Sequence, residues 1–433
     1  MTEIITILGV VLGCMIIIAS VFGGRYVWKK STQLVTNSGT AGIPYTYFED
    51  IHFNYENFCE HYAIDTIRIP SSFAGHQIPM DYIRVKDKKN TSRVEKNYQV
   101  LQNIKSIILV HGLGSNRHAM YPFAEMFLEK GFQVITYDQR NTNDNLAKST
   151  TFGYWEKRDL IDCANYVQKS VTTEMIGVWG TSLGGATAGL AVAEKSMKEV
   201  IDFLILDCPL SSMEWAVKNG IQQRNLRIPT AYLMWCGNLM NYMKMRFTYK
   251  QADVAEAAKN IHVPTLIINS EADTVTPEFM GKSIYEAIPG EQKWIYTVKD
   301  SVHTEVFQQY PVPYKNHISD LISCAYKYKL EKKNIVQSRK AIEINTVEIK
   351  TECGNKEAEL NTTEIKTECE NKEIELNTTE IKTAEIKTEC ENKDRKQNQE
   401  VENTEKNLCK KSRKKARKEA RKKDKTSVSE QTA

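Results

Sequence analysis

The sequence contains no C-x-x-C pair, although it has ten cysteines among its 433 residues. This absence argues against a zinc ribbon and against a thioredoxin-like redox motif, because both need closely paired cysteines. Several of the cysteines fall in predicted core strands or helices, where a free thiol behaves as a small hydrophobe. We therefore predict mostly reduced thiols, which favours a reducing compartment or an anaerobic source.

The sequence also has a small net charge and few histidines. The formal net charge of +4 is small, and the C-terminal end carries most of the basic excess. The eight histidines leave few candidates for a general base. The hydrophobic content of 41% and the charged content of 26% are ample for one large α/β domain with accessory segments.

The N-terminus has almost no charge. Glu3 is the one charged residue before Arg25, and Ile4–Gly24 is almost wholly apolar. About 20 such residues are needed to cross a bilayer. A cleaved signal peptide would begin with a basic region, whereas here Arg25, Lys29 and Lys30 follow the apolar run. We predict an uncleaved transmembrane anchor over residues 4–24.

The basic residues after the apolar run predict its orientation. Arg25, Lys29 and Lys30 place that side, and with it the bulk of the chain, in the cytoplasm by the positive-inside rule. The free thiols agree with a cytoplasmic domain, but the opposite orientation stays open. Residues 25–60 are predicted to be a juxtamembrane linker that becomes an entry helix.

Residues 61–330 show the alternation typical of an α/β domain. Residues 63–70 and 78–85 alternate apolar and polar side chains, as half-buried antiparallel strands do. Ser106–Val110 is a continuous apolar run, which suits a strand buried on both faces. Strands and helices then alternate as far as the strand at 293–297, which predicts a mostly parallel, doubly wound sheet.

Residues 210–259 interrupt this alternation, because they hold no convincing strand and are rich in Trp, Met, Tyr and Leu. We predict a helical cap insertion. Two interpretations stay open: the helices pack on the core, or they cover the active site and their apolar side chains line an acyl or aromatic pocket.

Residues 331–433 contain no aromatic residue and are highly charged. The hexapeptide Glu-Ile-Lys-Thr-Glu-Cys recurs at Glu348, Glu364 and Glu385, with a period of about 16 residues at first. This composition predicts a disordered tail that is at most transiently helical. The basic run over residues 410–425 is either a solvated tail or a site for anionic lipid or nucleic acid.

The main chemical signal is Gly180-Thr-Ser182-Leu-Gly184, which follows an apolar run and precedes a helix of small residues. This is the nucleophile elbow, G-x-S-x-G, in the strand–turn–helix context that the motif requires. The tight turn needs residues without side chains on either side of the serine, and Gly180 and Gly184 satisfy that need.

A serine nucleophile needs a histidine base that is itself oriented by a carboxylate. In folds built around this elbow, the triad residues occur along the chain in the order Ser, then Asp or Glu, then His. Asp273 lies in a loop after the predicted strand at 263–268, and His303 lies in the loop after the last strand. Asp273 is preferred to Glu271 because it lies deeper in its loop, and Glu271 is the alternative.

An oxyanion forms on the attacked carbonyl and needs backbone N–H donors. Leu183 follows the nucleophile directly and is the first predicted donor. The second is Leu113, in the glycine-rich loop after the Ser106–Val110 strand. His111 begins that loop and is predicted to be structural.

These segments resemble the α/β-hydrolase superfamily, and within it membrane-anchored serine hydrolases similar to serine aminopeptidases and BEM46-like proteins. The resemblance covers roughly residues 64–328. It rests on the elbow, on His303, and on His111-Gly-Leu-Gly-Ser115, Tyr137-Asp-Gln-Arg140, Gly153-Tyr-Trp-Glu156 and Ser270-Glu-Ala-Asp273. Many relatives have His-Gly after the Asp-x-Arg, whereas this chain has Asn141-Thr-Asn-Asp144, a change that bears on substrate preference more than on catalysis.

We therefore predict an α/β-hydrolase fold with a serine hydrolase site of Ser182, His303 and Asp273, with no metal or organic cofactor. The substrate is predicted to be a small or lipid-like acyl compound. Carboxylic esters are favoured over peptides because the cap is apolar, and thioester or amide bonds stay open. The alternatives are an aminopeptidase-like enzyme, or a non-catalytic membrane-anchored scaffold whose basic tail binds lipid or nucleic acid.

Overall fold

The computed structural model describes residues 1–86 and 104–353, with side chains to residue 335. Residues 1–330 form one compact unit, and the described residues after it, 331–353, belong to a second. The polar stretch at 87–103, most of the repeats and the basic run at 410–425 lie outside the described residues. The binding predictions for the basic run therefore stay predictions.

The architecture is an eight-stranded sheet with the order β1-β2-β4-β3-β5-β6-β7-β8. β2 pairs antiparallel with β1 and β4, and every other pairing is parallel. The predicted α/β fold with a mostly parallel sheet is confirmed. The strands are β1 (Tyr62–Pro70), β2 (Gln77–Val85), β3 (Lys105–Val110), β4 (Phe132–Tyr137), β5 (Met175–Thr181), β6 (Phe203–Asp207), β7 (Thr265–Ser270) and β8 (Lys293–Val298).

α-Helices precede, connect and follow these strands, and a short 3₁₀ helix (Arg117–Met120) precedes the fourth of them. The α-helices are α1 (Thr2–Thr32), α2 (Tyr45–Asp50), α3 (Tyr55–His61), α4 (Tyr121–Glu129), α5 (Glu156–Ser170), α6 (Leu183–Val192), α7 (Met213–Gln222), α8 (Thr230–Met245), α9 (Val254–Ala257), α10 (Phe279–Ala287), α11 (Val306–Gln309) and α12 (Pro311–Cys353).

The core lies on both faces of the sheet. Every residue of β5 is buried, as expected of a central parallel strand that is covered on both sides. Because side chains alternate along a strand, Val178 belongs to one hydrophobic cluster and Trp179 to the other. This central position makes the end of β5 a rigid place from which to present a side chain.

The N-terminal helix is longer than the predicted anchor. α1 continues beyond Gly24 to Thr32, and its most apolar 18-residue window has a mean hydropathy of 2.8 and is not buried. It is the one helix within the described residues that is long and apolar enough to span a membrane, criteria that a signal sequence also meets. Its last turns are buried at Gly24, Val27, Ser31 and Thr32.

The segment predicted as a linker is part of the folded unit. Phe48 and Phe58 are almost fully buried, and Tyr55 and Phe58 stack on Tyr121 of α4. The aromatic residues of this segment therefore cover the sheet rather than connect two separate bodies. The prediction of a linker over residues 25–60 did not anticipate this packing.

The cap insertion is helical, as its composition indicates, and consists mainly of α7 and α8. Its one β-type contact within the described residues is an isolated bridge between Ser212 and Asp253. α8 packs lengthwise on α1, with Gly24 of α1 against Cys236 of α8. The cap is thus attached to the N-terminal helix as well as to the core.

The last helix extends past the predicted domain end at residue 330. α12 begins at Pro311, buries Tyr314, Ile318 and Leu321 in the core, and ends at Cys353. The sequence predicts a tail from residue 331 that is disordered or at most transiently helical, and the structure describes residues 331–353 as a continuation of the helix. Residues 331–353 contain no glycine or proline, so nothing in this stretch breaks the helix.

Candidate active site

Ser182 lies at the sharp turn between β5 and α6. Its backbone has φ 55° and ψ −119°, which L-residues rarely adopt and which requires support from the surroundings. A Cβ on Gly180 would lie 2.3 Å from the carbonyl oxygen of Gly184, and one on Gly184 would lie 2.1 Å from that of Val110. The two predicted glycines are therefore required by close backbone contacts around the serine.

Three loops at one edge of the sheet bring Ser182, His303 and Asp273 together. They follow β5, β8 and β7, which run parallel, so their carboxyl ends meet at that edge. His303 Nε2 lies 2.9 Å from Ser182 Oγ, and His303 Nδ1 lies 2.7 Å from Asp273 Oδ2. The three residues predicted from the sequence form one continuous hydrogen-bonded chain.

Asp273 is held as an ionised acceptor. Burial raises the pKa of this carboxyl, but hydrogen bonds from His303 and from Thr276 outweigh that effect, and the pKa lies below its usual value. The backbone N–H groups of Val275 and Thr276 donate to Oδ1 at 2.8 and 2.9 Å. Glu271, the alternative carboxylate, is exposed, and its side chain has no contact with His303 within the described residues.

His111 supports the loop that faces the serine. Its Nδ1 lies 2.8 Å from the carbonyl oxygen of Gly112, and its Nε2 accepts a hydrogen bond from the backbone N–H of Gln139 at 3.0 Å. Burial lowers its pKa, which favours the neutral ring that this pattern needs. These contacts match the structural role that was predicted for His111.

The predicted oxyanion donors lie beside the serine. Leu183 begins α6, so its N–H has no partner within the helix. Gly112, the neighbour of Leu113, approaches so closely that a Cβ on it would lie 3.3 Å from Ser182 Cβ. Within the described part of the chain, neither the N–H of Leu113 nor that of Leu183 donates a hydrogen bond.

A cavity of about 440 Å³ opens at Ser182 and His303. Its walls come from the loop at 112–116, from residues 119, 120 and 123, and from residues 39–47 of the N-terminal segment. No residue of 210–259, all of which the structure describes, lines it. The interpretation that cap side chains line the pocket is therefore wrong for this cavity, and the N-terminal segment forms that wall instead.

Asparagine side chains hold this wall in place. Asn116 Nδ2 donates to the carbonyl oxygens of Thr40 and Gly42, at 2.7 and 2.8 Å. Asn37 Nδ2 donates to those of Asn143 and Asn145, at 3.0 and 2.7 Å. Residues 33–44 have neither a strand-forming nor a helical pattern, so this role could not be predicted from their sequence.

The loop at 141–145 contains the residues that differ from the pattern of the family that this sequence resembles. Asn143 and Asn145 accept from Asn37, and Asn143 Oδ1 accepts the backbone N–H of Gly42 at 3.1 Å. Asn141 Nδ2 donates to the carbonyl oxygen of Val35 at 2.7 Å. The run of asparagines at 141, 143 and 145 is the sequence signal that could have identified this attachment.

A second buried carboxyl lies behind the site. Burial raises the pKa of Asp207 to about 6, and the hydroxyl of Tyr314 donates to Asp207 Oδ2 at 2.6 Å. The indole N–H of Trp179 in turn donates to Tyr314 at 3.1 Å. The backbone carbonyl of Asp207 accepts the N–H of Ser182 at 2.9 Å, so this network supports the elbow directly.

The thiol of Cys208, the carboxyl of Asp273 and the imidazole of His303 have ligand atoms within 4.8 Å of one another. Two facts disfavour a metal site here. Asp273 and His303 are already hydrogen-bonded to each other, and burial raises the pKa of the Cys208 thiol, whereas a metal ligand must be a thiolate.

Comparison with known proteins gives consistent matches. The family described as the alpha/beta hydrolase fold matches residues 105–227. The uncharacterized protein YqkD of Bacillus subtilis is 24% identical over 327 residues, which cover 74% of this chain and 97% of YqkD. The lysophosphatidylserine lipase ABHD12 of Danio rerio is 23% identical over 217 residues, which cover 49% of this chain and 54% of the lipase.

A solved structure, that of the esterase Pf2001 of Pyrococcus furiosus, has 19% sequence identity and a TM-score of 0.46, and the alignment covers 62% of this chain and 95% of the esterase. The matched residues 105–227 contain the glycine-rich loop and the elbow at Ser182. The sheet order and this family match show that the chain has an α/β-hydrolase fold.

Proposed function

We propose that this protein is a serine hydrolase that cleaves carboxylic esters through an acyl-enzyme intermediate. The observation that carries the proposal is the hydrogen-bonded chain from Asp273 through His303 to Ser182, which ends in an open cavity. The α/β-hydrolase fold supports hydrolysis as the reaction class, while the site supports the choice of serine as the nucleophile.

In the first half-reaction Ser182 Oγ attacks the ester carbonyl as His303 Nε2 takes the hydroxyl proton. The negative charge on the tetrahedral intermediate is stabilised by the N–H groups of Leu183 and Leu113. The bond to the leaving alkoxy oxygen then breaks, and His303 returns the proton to that oxygen. In the second half, water attacks the acyl-enzyme by the same route and releases the acid.

Asp273 has a positioning and electrostatic role in this scheme. As an ionised acceptor on Nδ1 it fixes the tautomer in which Nε2 faces Ser182, and it stabilises the imidazolium that forms during attack. The lowered pKa of Asp273 keeps this carboxylate ionised, so the role persists at neutral pH.

The cavity lining favours acyl substrates over peptides. Tyr47, Leu113, Met120 and Phe123 give it a largely apolar wall with no charged side chain among its lining residues, all of which are described. Relatives named as a lysophosphatidylserine lipase and as a thiohydrolase are consistent with ester or thioester chemistry. An aminopeptidase-like activity is the second candidate, because the same residues can cleave an amide.

We further propose that α1 is a retained membrane anchor. Its last turns are buried by the cap, so removal of the helix would uncover Cys236 and Met240 of α8. Arg25, Lys29 and Lys30 favour a cytoplasmic location for the domain. Resistance to alkaline extraction, and protease protection of the domain in sealed vesicles, test the anchor and its orientation separately.

Labelling by a fluorophosphonate probe tests the enzyme proposal. We expect the intact protein to label, and we expect Ser182→Ala and His303→Ala to abolish labelling. Ser323→Ala, on the exposed side of α12, is the control that keeps it. Folded protein that does not label would favour the scaffold alternative and direct attention to lipid and nucleic-acid binding by the basic tail. A panel of esters, thioesters and aminoacyl amides then decides the bond type.

A further inference from the structure

α8 of the cap and the N-terminal helix α1 pack side by side over several turns, with their chains running in the same direction. A Cβ on Gly24 would lie 2.6 Å from the carbonyl oxygen of Cys236, and one on Gly237 would lie 2.4 Å from Val27 Cγ1. Glycines on both helices thus allow the two backbones to approach closely, as in packed helices within membranes. The register between the helices is fixed by these contacts.

That register determines the depth of α8 along the α1 axis. Ser20 Oγ lies 2.7 Å from the hydroxyl of Tyr232, in the first turn of α8. Ser20 precedes Arg25 by five residues, which is about 7.5 Å along a helix. The start of α8 is therefore level with the end of the apolar segment of α1, not with the basic residues that follow it.

The side of α8 that faces away from the core is apolar and exposed. Trp235 is 59% exposed, Leu239 46% and Tyr242 52%, and Ile228 just before the helix is 46% exposed. Residues 235, 239 and 242 are spaced by four and three positions, so they share one side of the helix. Tryptophan and tyrosine are the residues most enriched where a membrane surface meets water.

Both helices change from apolar to basic at the same height. Met243 and Lys244, near the end of α8, lie beside Arg25, Lys29 and Gln33 of α1 in one surface groove. A face that only contacts another protein has no need to match the polarity gradient of α1. At the other end of α8, Ile228 is exposed in the loop before the helix, on the side of the apolar segment of α1.

We propose that the exposed face of α8 (Ile228, Trp235, Leu239 and Tyr242) contacts the lipid bilayer, so that the cap is a second membrane-contacting element beside α1. This proposal rests on the proposed anchor role of α1 and is independent of the proposed catalysis. The partner is a bilayer surface with anionic headgroups, since Lys244 of α8 lies beside Arg25 and Lys29 of α1, where the apolar segment of α1 ends.

Tryptophan quenching by lipid tests this contact. The full-length protein is reconstituted into vesicles of phosphatidylcholine and phosphatidylglycerol whose acyl chains are brominated near the headgroup. We expect Trp235→Phe to lose a measurable share of the fluorescence quenching seen with the intact protein. Trp294→Phe changes a tryptophan of β8, the last strand in the sheet order. This variant is expected to retain all of the quenching.

Two further measurements make each outcome decisive. Release of the intact protein by alkaline extraction would overturn the anchor, whereas an anchored protein with equal quenching in Trp235→Phe and the intact chain would overturn only the contact of α8. A crosslinked dimer that forms with the intact protein and is lost in Trp235→Asp would show that a second copy covers this face, which also overturns the proposal. Circular dichroism and melting temperature confirm that the variants are folded.

Discussion

At the scale of single residues, the site depends on one carboxylate whose hydrogen bonds keep it ionised. Asp273→Asn preserves an oxygen acceptor for the N–H groups of Val275 and Thr276 but removes the charge that orients His303. We expect kcat/KM to fall by about 10²- to 10⁴-fold, with little change in melting temperature. Steady-state ester hydrolysis measures the first quantity and thermal unfolding the second.

Glu271→Gln is the matched control for this prediction, because Glu271 is in the same loop but is exposed. It should leave kcat/KM within about twofold of the intact protein, as surface substitutions usually have small effects. A loss of activity in Glu271→Gln with activity retained in Asp273→Asn would assign the carboxylate role to Glu271.

The buried carboxyl of Asp207 gives a prediction about pH. Its pKa of about 6 in the folded protein lies above the unfolded value, so between about pH 4 and pH 6 the unfolded chain loses this proton and the folded chain keeps it. The contribution of this group to the free energy of unfolding therefore falls as the pH rises through that window. Its size is on the order of 2–3 kcal/mol.

Asp207→Asn tests this sign, because asparagine keeps an oxygen for the Tyr314 hydroxyl but cannot titrate. We expect the variant to gain stability relative to the intact protein as the pH is raised from 4 to 7. Chemical unfolding of both proteins at several pH values gives the difference. A constant difference across that range would contradict a raised pKa.

The residues of the site differ in how far the sequence reveals them. Ser182 and His303 could be predicted because a local motif and a fixed chain order identify them. Asp207 could not, because its environment comes from Tyr314, a residue 107 positions away in the chain. Burial produced by such distant contacts leaves no mark on the local sequence.

At the scale of elements, the segment between α1 and α2 is a wall of the cavity that asparagines hold. Asn116→Asp keeps the oxygen that accepts from the N–H groups of His118 and Ala119 but loses the two donors to Thr40 and Gly42. We expect kcat/KM to fall about 10- to 100-fold, mainly through KM, because the substrate is less well positioned. Fluorophosphonate labelling of Ser182 should persist.

Asn54→Asp serves as the control for this element. Asn54 accepts the N–H of Asn57 at the start of α3, and aspartate caps a helix equally well, so kinetics should be unchanged. If Asn116→Asp also left KM unchanged, the segment would be a passive cover and not part of the substrate site.

The sequence predicted the central elements better than the peripheral ones. β3, β5 and their neighbours have strong apolar runs, so their type and order could be read from the pattern. The segment at 25–60 was taken for a linker because its stabilising contacts are aromatic side chains scattered over short helices, such as Phe48 and Phe58. The helical continuation of α12 over residues 331–353 could not be predicted, because this charged stretch lacks apolar periodicity.

At the scale of the whole molecule, α1 has two parts with different functions in the structure. Residues before Ser20 are exposed, whereas Gly24, Val27, Ser31 and Thr32 pack against the folded unit. The carbonyl oxygen of Thr32 also accepts the N–H of Thr150 at 3.0 Å. The helix therefore stabilises the domain through its last turns only.

Two truncations separate these parts. Removal of residues 1–19 should make the protein extractable from membranes at alkaline pH and leave its unfolding free energy unchanged. Removal of residues 1–36 should have the same effect on extraction but lower the free energy of unfolding by about 3 kcal/mol or more. The reason is that this truncation also removes the buried last turns of α1 and the contacts of the residues just before Asn37. Urea unfolding of both proteins measures the difference, and equal stability would contradict the division of α1.

The wall at residues 39–47 has a kinetic consequence. It is joined to the end of α1 by only a few residues, and asparagines attach it to the domain on its other side, so the cavity cannot move far from a bilayer that holds α1. A substrate that resides in the same bilayer then meets the enzyme by diffusion in two dimensions. Its turnover would follow the mole fraction of substrate in the membrane surface, and dilution with inert lipid would slow the reaction even at a constant bulk concentration.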